Sequence, residues 1–193
     1  MIKPTTASRL NVLSHTFFVP FRSSAGFLLS LILIGSLTSC QNKEASFPGM
    51  NDPQAVLGGA TFQTLDGEPV RLSDFEGQFV VVDFWETWCS PCMEVFPAMQ
   101  ELEDEYGDNF TMLAVNLGKV DDLETVKEFK ENNPYTFAYL IDAKKAYDRF
   151  QVPGIPFKVM VGPDGQVLKA EMGSSGRQMD YNKVKTFYEE TMN

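Results

Sequence analysis

Residues 79–85, Phe-Val-Val-Val-Asp-Phe-Trp, form a near-continuous apolar run that ends three residues short of Cys89-Ser90-Pro91-Cys92. Such a run, rich in β-branched residues, fits a strand buried on both faces. From Pro91 to Tyr106 the pattern turns helical, with Val95, Met99 and Leu102 at i, i+4 and i+7. Two cysteines three apart therefore sit where a buried strand gives way to a helix. The first sulfur lies at the helix N-terminus, where unpaired N–H groups and the positive dipole end favour a thiolate. Cys92 falls one turn in, close enough to close a small disulfide and more shielded from solvent. This is the arrangement in which one thiolate attacks a disulfide and the second resolves the mixed disulfide.

The flanking segments alternate between strands and helices. Thr61–Leu65 and Val70–Leu72 flank Asp66-Gly67, a hairpin turn signal. Phe110–Leu117 reads as a second core strand, and Leu123, Val126 and Phe129 as an amphipathic helix ending near Asn132-Asn133-Pro134. Phe137–Ile141 is strand-like and Ala143–Phe150 a short helix. Phe157–Val161 and Gln166–Met172 enclose the turn Gly162-Pro-Asp-Gly165, and Met179–Thr191 closes the chain as a helix. The fold class is α/β, a central mixed sheet covered by helices on both faces. Pro91 suits a first helical turn, while Pro97 is expected to kink the helix interior.

The N-terminal forty residues read as an address. None of them is acidic, while Lys3, Arg9 and Arg22 are basic. The apolar run from Gly26 to Leu37 is shorter than the roughly 20 residues of a spanning helix and fits a signal-peptide core. Leu37-Thr38-Ser39-Cys40 resembles the lipobox of bacterial lipoproteins, which implies cleavage before Cys40 and a lipid on its sulfur. An ordinary cleaved signal and an uncleaved anchor are the alternatives. The expected organisation is a leader over 1–39, a lipidated cysteine with a polar tether over 40–55, and a domain over 56–193.

Composition then narrows the chemistry. The chain has 193 residues, three cysteines and one histidine, and a formal charge of -10. That acidity argues against nucleic acid, whose phosphates need Lys and Arg. Removing the leader takes three basic residues and the histidine, so 13 basic residues face 26 acidic ones and the charge becomes -13. A structural zinc needs about four ligands, more than the remaining dithiol supplies, so no metal site is expected. A redox-gated or Cu(I)-binding module without turnover is the alternative reading of the dithiol.

Val82-Asp-Phe-Trp-Glu-Thr-Trp-Cys-Ser-Pro-Cys92 resembles the active-site strand and turn of the thioredoxin superfamily. Pro97 falls where that family kinks its helix, and Val152-Pro-Gly-Ile-Pro156 matches its cis-proline loop. Thr64–Gly77 is similar to the extra N-terminal hairpin of the membrane-tethered TlpA/ResA branch, and Ala114–Gly118 to the strand end before that branch's inserted helix. The peroxiredoxin pattern Pro-x-x-x-Thr-x-x-Cys is absent. The resemblance implies a thiol-disulfide oxidoreductase with no cofactor beyond the redox-active disulfide Cys89–Cys92. It implies that Cys89 attacks, Cys92 resolves and Asp83 moves the proton. Trp88, Pro91, Ile155 and Pro156 would meet substrate, Pro156 being cis. The partners it implies are protein or peptide disulfides, apocytochromes among them, and a membrane protein that returns electrons. The place is the cell envelope, facing the periplasm or extracytoplasmic space. Net reduction is the family's usual direction; net oxidation remains the other possibility, because Ser90-Pro91 alone does not set the potential.

Two further acids carry expectations. A carboxyl at Asp83, inside an apolar strand, should be hard to ionise and so suited to proton transfer; a structural aspartate held by backbone donors is the rival. Glu86, where the family has a small residue, reads first as a solvated surface charge and second as a carboxylate that raises the pKa of Cys89.

Overall fold

The computed structural model describes residues 49–192. The leader, Cys40 and most of the expected tether lie outside the described residues. In chain order the elements are α1 (Pro53–Gly58), β1 (Phe62–Thr64), β2 (Pro69–Val70), β3 (Phe79–Trp85), α2 (Ser90–Tyr106), β4 (Phe110–Asn116), α3 (Leu123–Asn132), β5 (Ala138–Ile141), α4 (Ala146–Phe150), β6 (Phe157–Val161), β7 (Val167–Met172) and α5 (Arg177–Met192). The strands form one seven-stranded sheet in the order β2-β1-β5-β4-β3-β6-β7.

The apolar run expected to be buried on both faces is β3, an interior strand of the sheet between β4 and β6, with every residue buried. It pairs parallel with β4 and antiparallel with β6. Because successive side chains alternate, the strand serves two cores at once. Val81 and Trp85 join the cluster that contains Val95, Phe96, Met99 and Val184 from α2 and α5. Val80, Val82 and Phe84 join a second cluster with Leu57 of α1 and Phe150 of α4. Each large side chain buried this fully contributes roughly 1.5–3 kcal/mol. Trp85 is enclosed by edge-on and tilted rings, Phe96 at 4.9 Å and Phe129 at 4.8 Å between centroids.

α2 begins one residue earlier than its pattern suggested and carries Pro97 inside it. α3 is the inserted helix that the resemblance implied, started by Asp122, whose carboxylate accepts from the Thr125 N–H. Gly67 turns the β1–β2 hairpin at φ 90°, a conformation open to glycine.

The tether expectation is corrected at its end. Pro53–Gly58 is a helix rather than the end of a tether and the start of a strand-led domain, with Asp52 accepting from the Gln54 N–H and Pro53 in the first turn. Asn51 N–H donates to the Phe150 carbonyl, so the domain begins about five residues before the expected boundary at 56. A six-residue helix is marginal alone. Here Val56 and Leu57 are buried beside α4, and an Arg149 guanidinium N–H donates to the Val56 carbonyl.

Candidate active site

The topology brings four loops to one edge of the sheet. β3, β4 and β5 run parallel and all end there, and antiparallel β6 begins there, with Phe157 opposite Phe84. The C-terminal edge of parallel strands is where α/β proteins place their sites. Cys89 leads directly into α2 as its N-cap residue, and Ile155–Pro156 immediately precedes β6.

Cys89 and Cys92 form a disulfide, with their Cα atoms 5.3 Å apart. The Cys89 N–H donates to the Glu86 carbonyl and the Cys92 N–H to the Cys89 carbonyl, which coils the segment into the helix start. Cys92 is fully buried; Cys89 keeps a sliver of exposure at 2 %. Ser90 and Pro91 are exposed beside them, and Trp88, 61 % exposed, stands as a rim. The Ile155–Pro156 peptide bond is cis. Ile155 is half-buried and Pro156 buried, so the loop presents backbone and little side chain at this edge.

Asp83 lies on the face of β3 shared with Val81 and Trp85, beneath α2, and has no exposed surface. Neither carboxyl oxygen has a hydrogen-bond partner among the described residues. Donors from the backbone, the rival reading, are thus not what holds it. Burial raises its pKa; the charge of Lys158 lowers it and that of Asp180 raises it, and the result is about 7. A carboxyl balanced there gains and loses its proton near neutral pH.

Glu86 corrects the first expectation made for it. It is not solvated: at 1 % exposure it is a buried junction between loops. One carboxylate oxygen accepts from the backbone N–H groups of Lys119 and Val120, at 2.8 and 2.9 Å. The other accepts from the Trp88 indole N–H at 2.5 Å. Asp121 answers from the opposite loop, accepting from the Thr87 N–H and hydroxyl at 2.6 Å each and from the Asn116 amide. Two carboxylates thereby clamp residues 86–88 to residues 116–121 and fix the indole at the rim.

Sequence reasoning missed Asp121, Lys158 and Asp180. Asp121 and Asp180 sit in polar surroundings in the sequence and give no signal. Lys158 did give one: it is a lone charge in an otherwise apolar strand, the same anomaly that singled out Asp83.

A strand-ending disulfide at a helix N-terminus, a cis-proline loop at the same edge and a central mixed sheet define a thioredoxin-like thiol–disulfide protein. Comparison with known proteins makes the assignment specific. The AhpC/TSA family model matches residues 53–170. YneN, a thioredoxin-like protein of Bacillus subtilis, is 33 % identical over 59 % of this chain and 68 % of its own. The thiol-disulfide oxidoreductase ResA of Geobacillus kaustophilus is 32 % identical over 70 % of this chain and 75 % of its own. Among solved structures, a DsbE-type thiol:disulfide interchange protein from Chlorobium tepidum superposes with a TM-score of 0.61 at 28 % identity, covering 69 % of this chain and 92 % of its own. The chain belongs to the AhpC/TSA family and, within it, to the TlpA/ResA-like thiol-disulfide oxidoreductases.

Proposed function

We propose that the protein reduces disulfides of extracytoplasmic proteins by dithiol–disulfide exchange through Cys89 and Cys92. The observation that carries this reading is the Cys89–Cys92 disulfide at the start of α2, with Cys92 fully buried and Cys89 2 % exposed beside the exposed Trp88, Ser90 and Pro91.

In the reduced protein, the Cys89 thiolate attacks one sulfur of a substrate disulfide. A Cys89–substrate bond forms, the substrate bond breaks, and its electron pair leaves on the second substrate sulfur, which takes a proton from solvent. Asp83, as carboxylate, then accepts the Cys92 proton. The Cys92 thiolate attacks the Cys89 sulfur, closing the intramolecular disulfide and releasing the substrate's remaining sulfur as thiolate. Two electrons have passed to the substrate, and an external dithiol must return two to reopen Cys89–Cys92. The Ile155 backbone, turned by cis-Pro156, pairs with the incoming peptide, and Trp88 and Pro91 line its approach. These contacts are largely backbone, so binding tolerates varied sequences.

The mature protein in this reading begins at Cys40, carries lipid there and is tethered at the envelope surface through residues 41–50. A membrane protein recharges it, and apocytochromes awaiting haem are among the substrates to test. The basic start, the short apolar run and Leu37-Thr-Ser-Cys40 support the anchoring.

The test is a Cys92→Ser variant expressed in the native cell. Substrates caught as mixed disulfides on Cys89 are expected, together with reduction of insulin disulfides by the wild-type protein supplied with a dithiol. Failure to capture any Cys89-dependent partner, together with no insulin turnover, overturns the reading.

A further inference from the structure

Asp83 is one end of a charged row. β6 pairs with β3 so that Lys158 lies opposite Asp83, and β7 pairs with β6 so that Glu171 lies opposite Lys158. Residues directly opposite one another share a face of the sheet. Acid, base and acid therefore stand side by side across three strands, on the face covered by α2 and α5. The row runs outward: Asp83 is wholly buried, Lys158 is 1 % exposed, and the Glu171 side chain reaches the surface at 17 %. There Lys183 of α5 pairs with Glu171 at 3.0 Å and Lys169 at 3.2 Å.

A buried lysine in a purely structural role closes an ion pair or is replaced by an apolar residue, because an unmatched charge inside a protein is costly. Lys158 makes no ion pair among the described residues. Its ammonium donates to the Gly173 carbonyl, while both oxygens of Asp83 stay free of hydrogen bonds. The positive charge thus acts on Asp83 through space without holding its oxygens, which leaves them open to a proton. The other neighbours of Asp83 are accounted for. β4 places uncharged Ala114 beside it, α5 contributes Asp180, and the α2 side chains in this core are apolar apart from Cys92. Asp180 is itself held by the Ser174 hydroxyl and the Ser175 N–H. Lys158 is thus the cation that faces the carboxyl.

We propose that Lys158 is a positioning residue for the exchange reaction, supplying the charge against which Asp83 ionises as it takes the Cys92 proton, with Glu171 moderating that charge from outside. This rests on Asp83 being the base for Cys92. It adds a dependence on β6 and β7 that a lone aspartate would not have. Glu171 fits the moderating place: burial pushes its carboxyl up, but Lys183, Lys158 and Lys169 outweigh that and hold it below the usual range.

The experiment follows the Asp83 carboxyl by carbon-13 NMR across pH in the full chain, in wild type, Lys158→Met and Glu171→Gln. Removing the cation is expected to raise the Asp83 midpoint by about one pH unit or more. Removing the outer carboxylate should lower it by less. The pH profile for release of a substrate mixed disulfide from Cys89 should move with it in each variant. Glu171→Gln, near the surface, carries the test if Lys158→Met does not fold. Unmoved midpoints overturn the proposal and leave Asp83 as base intact. Moved midpoints with release unchanged in both variants and in Asp83→Asn overturn the base itself, and the role of Lys158 with it.

Discussion

The two faces of the central sheet are built from the same strands and do different work. On one side, β3 and β6 present Phe84, Val82, Phe157 and Val159 to α1 and α4, an apolar cluster. On the other, the intervening residues are Asp83 and Lys158, which share their layer with the disulfide. The buried polar side chains of the strands, Asp83, Asn116 and Lys158, all take the second face. A two-residue period lets one strand be support on one side and chemistry on the other, with no buried charged or amide strand side chain, among the described residues, in the supporting core. Stability and activity are therefore separable by single substitutions one residue apart.

The sharpest contrast comes from the chemical face. Cys89→Ser should reduce insulin-disulfide turnover to background, while circular dichroism remains that of the folded chain. On the supporting face, Phe84→Ala should cost about 3–5 kcal/mol in urea unfolding, because Phe84 packs against Phe62, Phe150 and Phe157. The exchange rate per folded molecule should stay unchanged. A large rate loss in Phe84→Ala would break the division between faces.

Asp83 tests the division from the other direction. Its carboxyl binds a proton more tightly in the folded chain, with a pKa of about 7 against 3.8 for the ordinary group. The native state thus holds more protons between those values, and stability falls as pH rises through them. Wild type should lose up to about 4 kcal/mol from pH 4 to pH 8 on this account, and Asp83→Asn should lack that slope. The same variant should slow release of the mixed disulfide at pH 7 by roughly a hundredfold. Stopped-flow kinetics and urea titrations at several pH values check both.

The smallest effect is expected at the clamp. Glu86→Ala leaves the Lys119 and Val120 N–H groups and the Trp88 indole without their acceptor, at about 1–3 kcal/mol. Amide exchange at Lys119 and Val120 should quicken and the indole fluorescence change. The alkylation profile of Cys89 against pH should overlap that of wild type, because Glu86 is tied to the backbone of the neighbouring loop.

Where the sequence was legible, a single period carried the information. β3 matches its apolar run end to end, and α2 follows the spacing of Val95, Met99 and Leu102. The CxxC, Asp83 and the proline loop were readable because each breaks a local pattern. α1 was not, since Asp52, Pro53 and Gly58-Gly59 look like a loop, and the helix depends on α4, about ninety residues away in sequence. Glu86 was misread for the same reason: its partners at 119 and 120 arrive only when β3 and β4 are side by side. Lys158 gains its meaning only from strand register, which alternation alone does not give.

The β6–β7 hairpin carries an irregularity where Val161 pairs with Val167 while Met160 pairs with Lys169, so Leu168 is passed over. The slip lies on the turn side of the row, and Lys158 and Glu171 remain in step beyond it. A residue gained or lost near the tip can be taken up at that slip. One gained between Lys169 and Glu171 would turn the carboxylate towards the phenylalanine-lined core. An inserted residue should therefore be accommodated within Gly162–Leu168 and not in the strand beyond it.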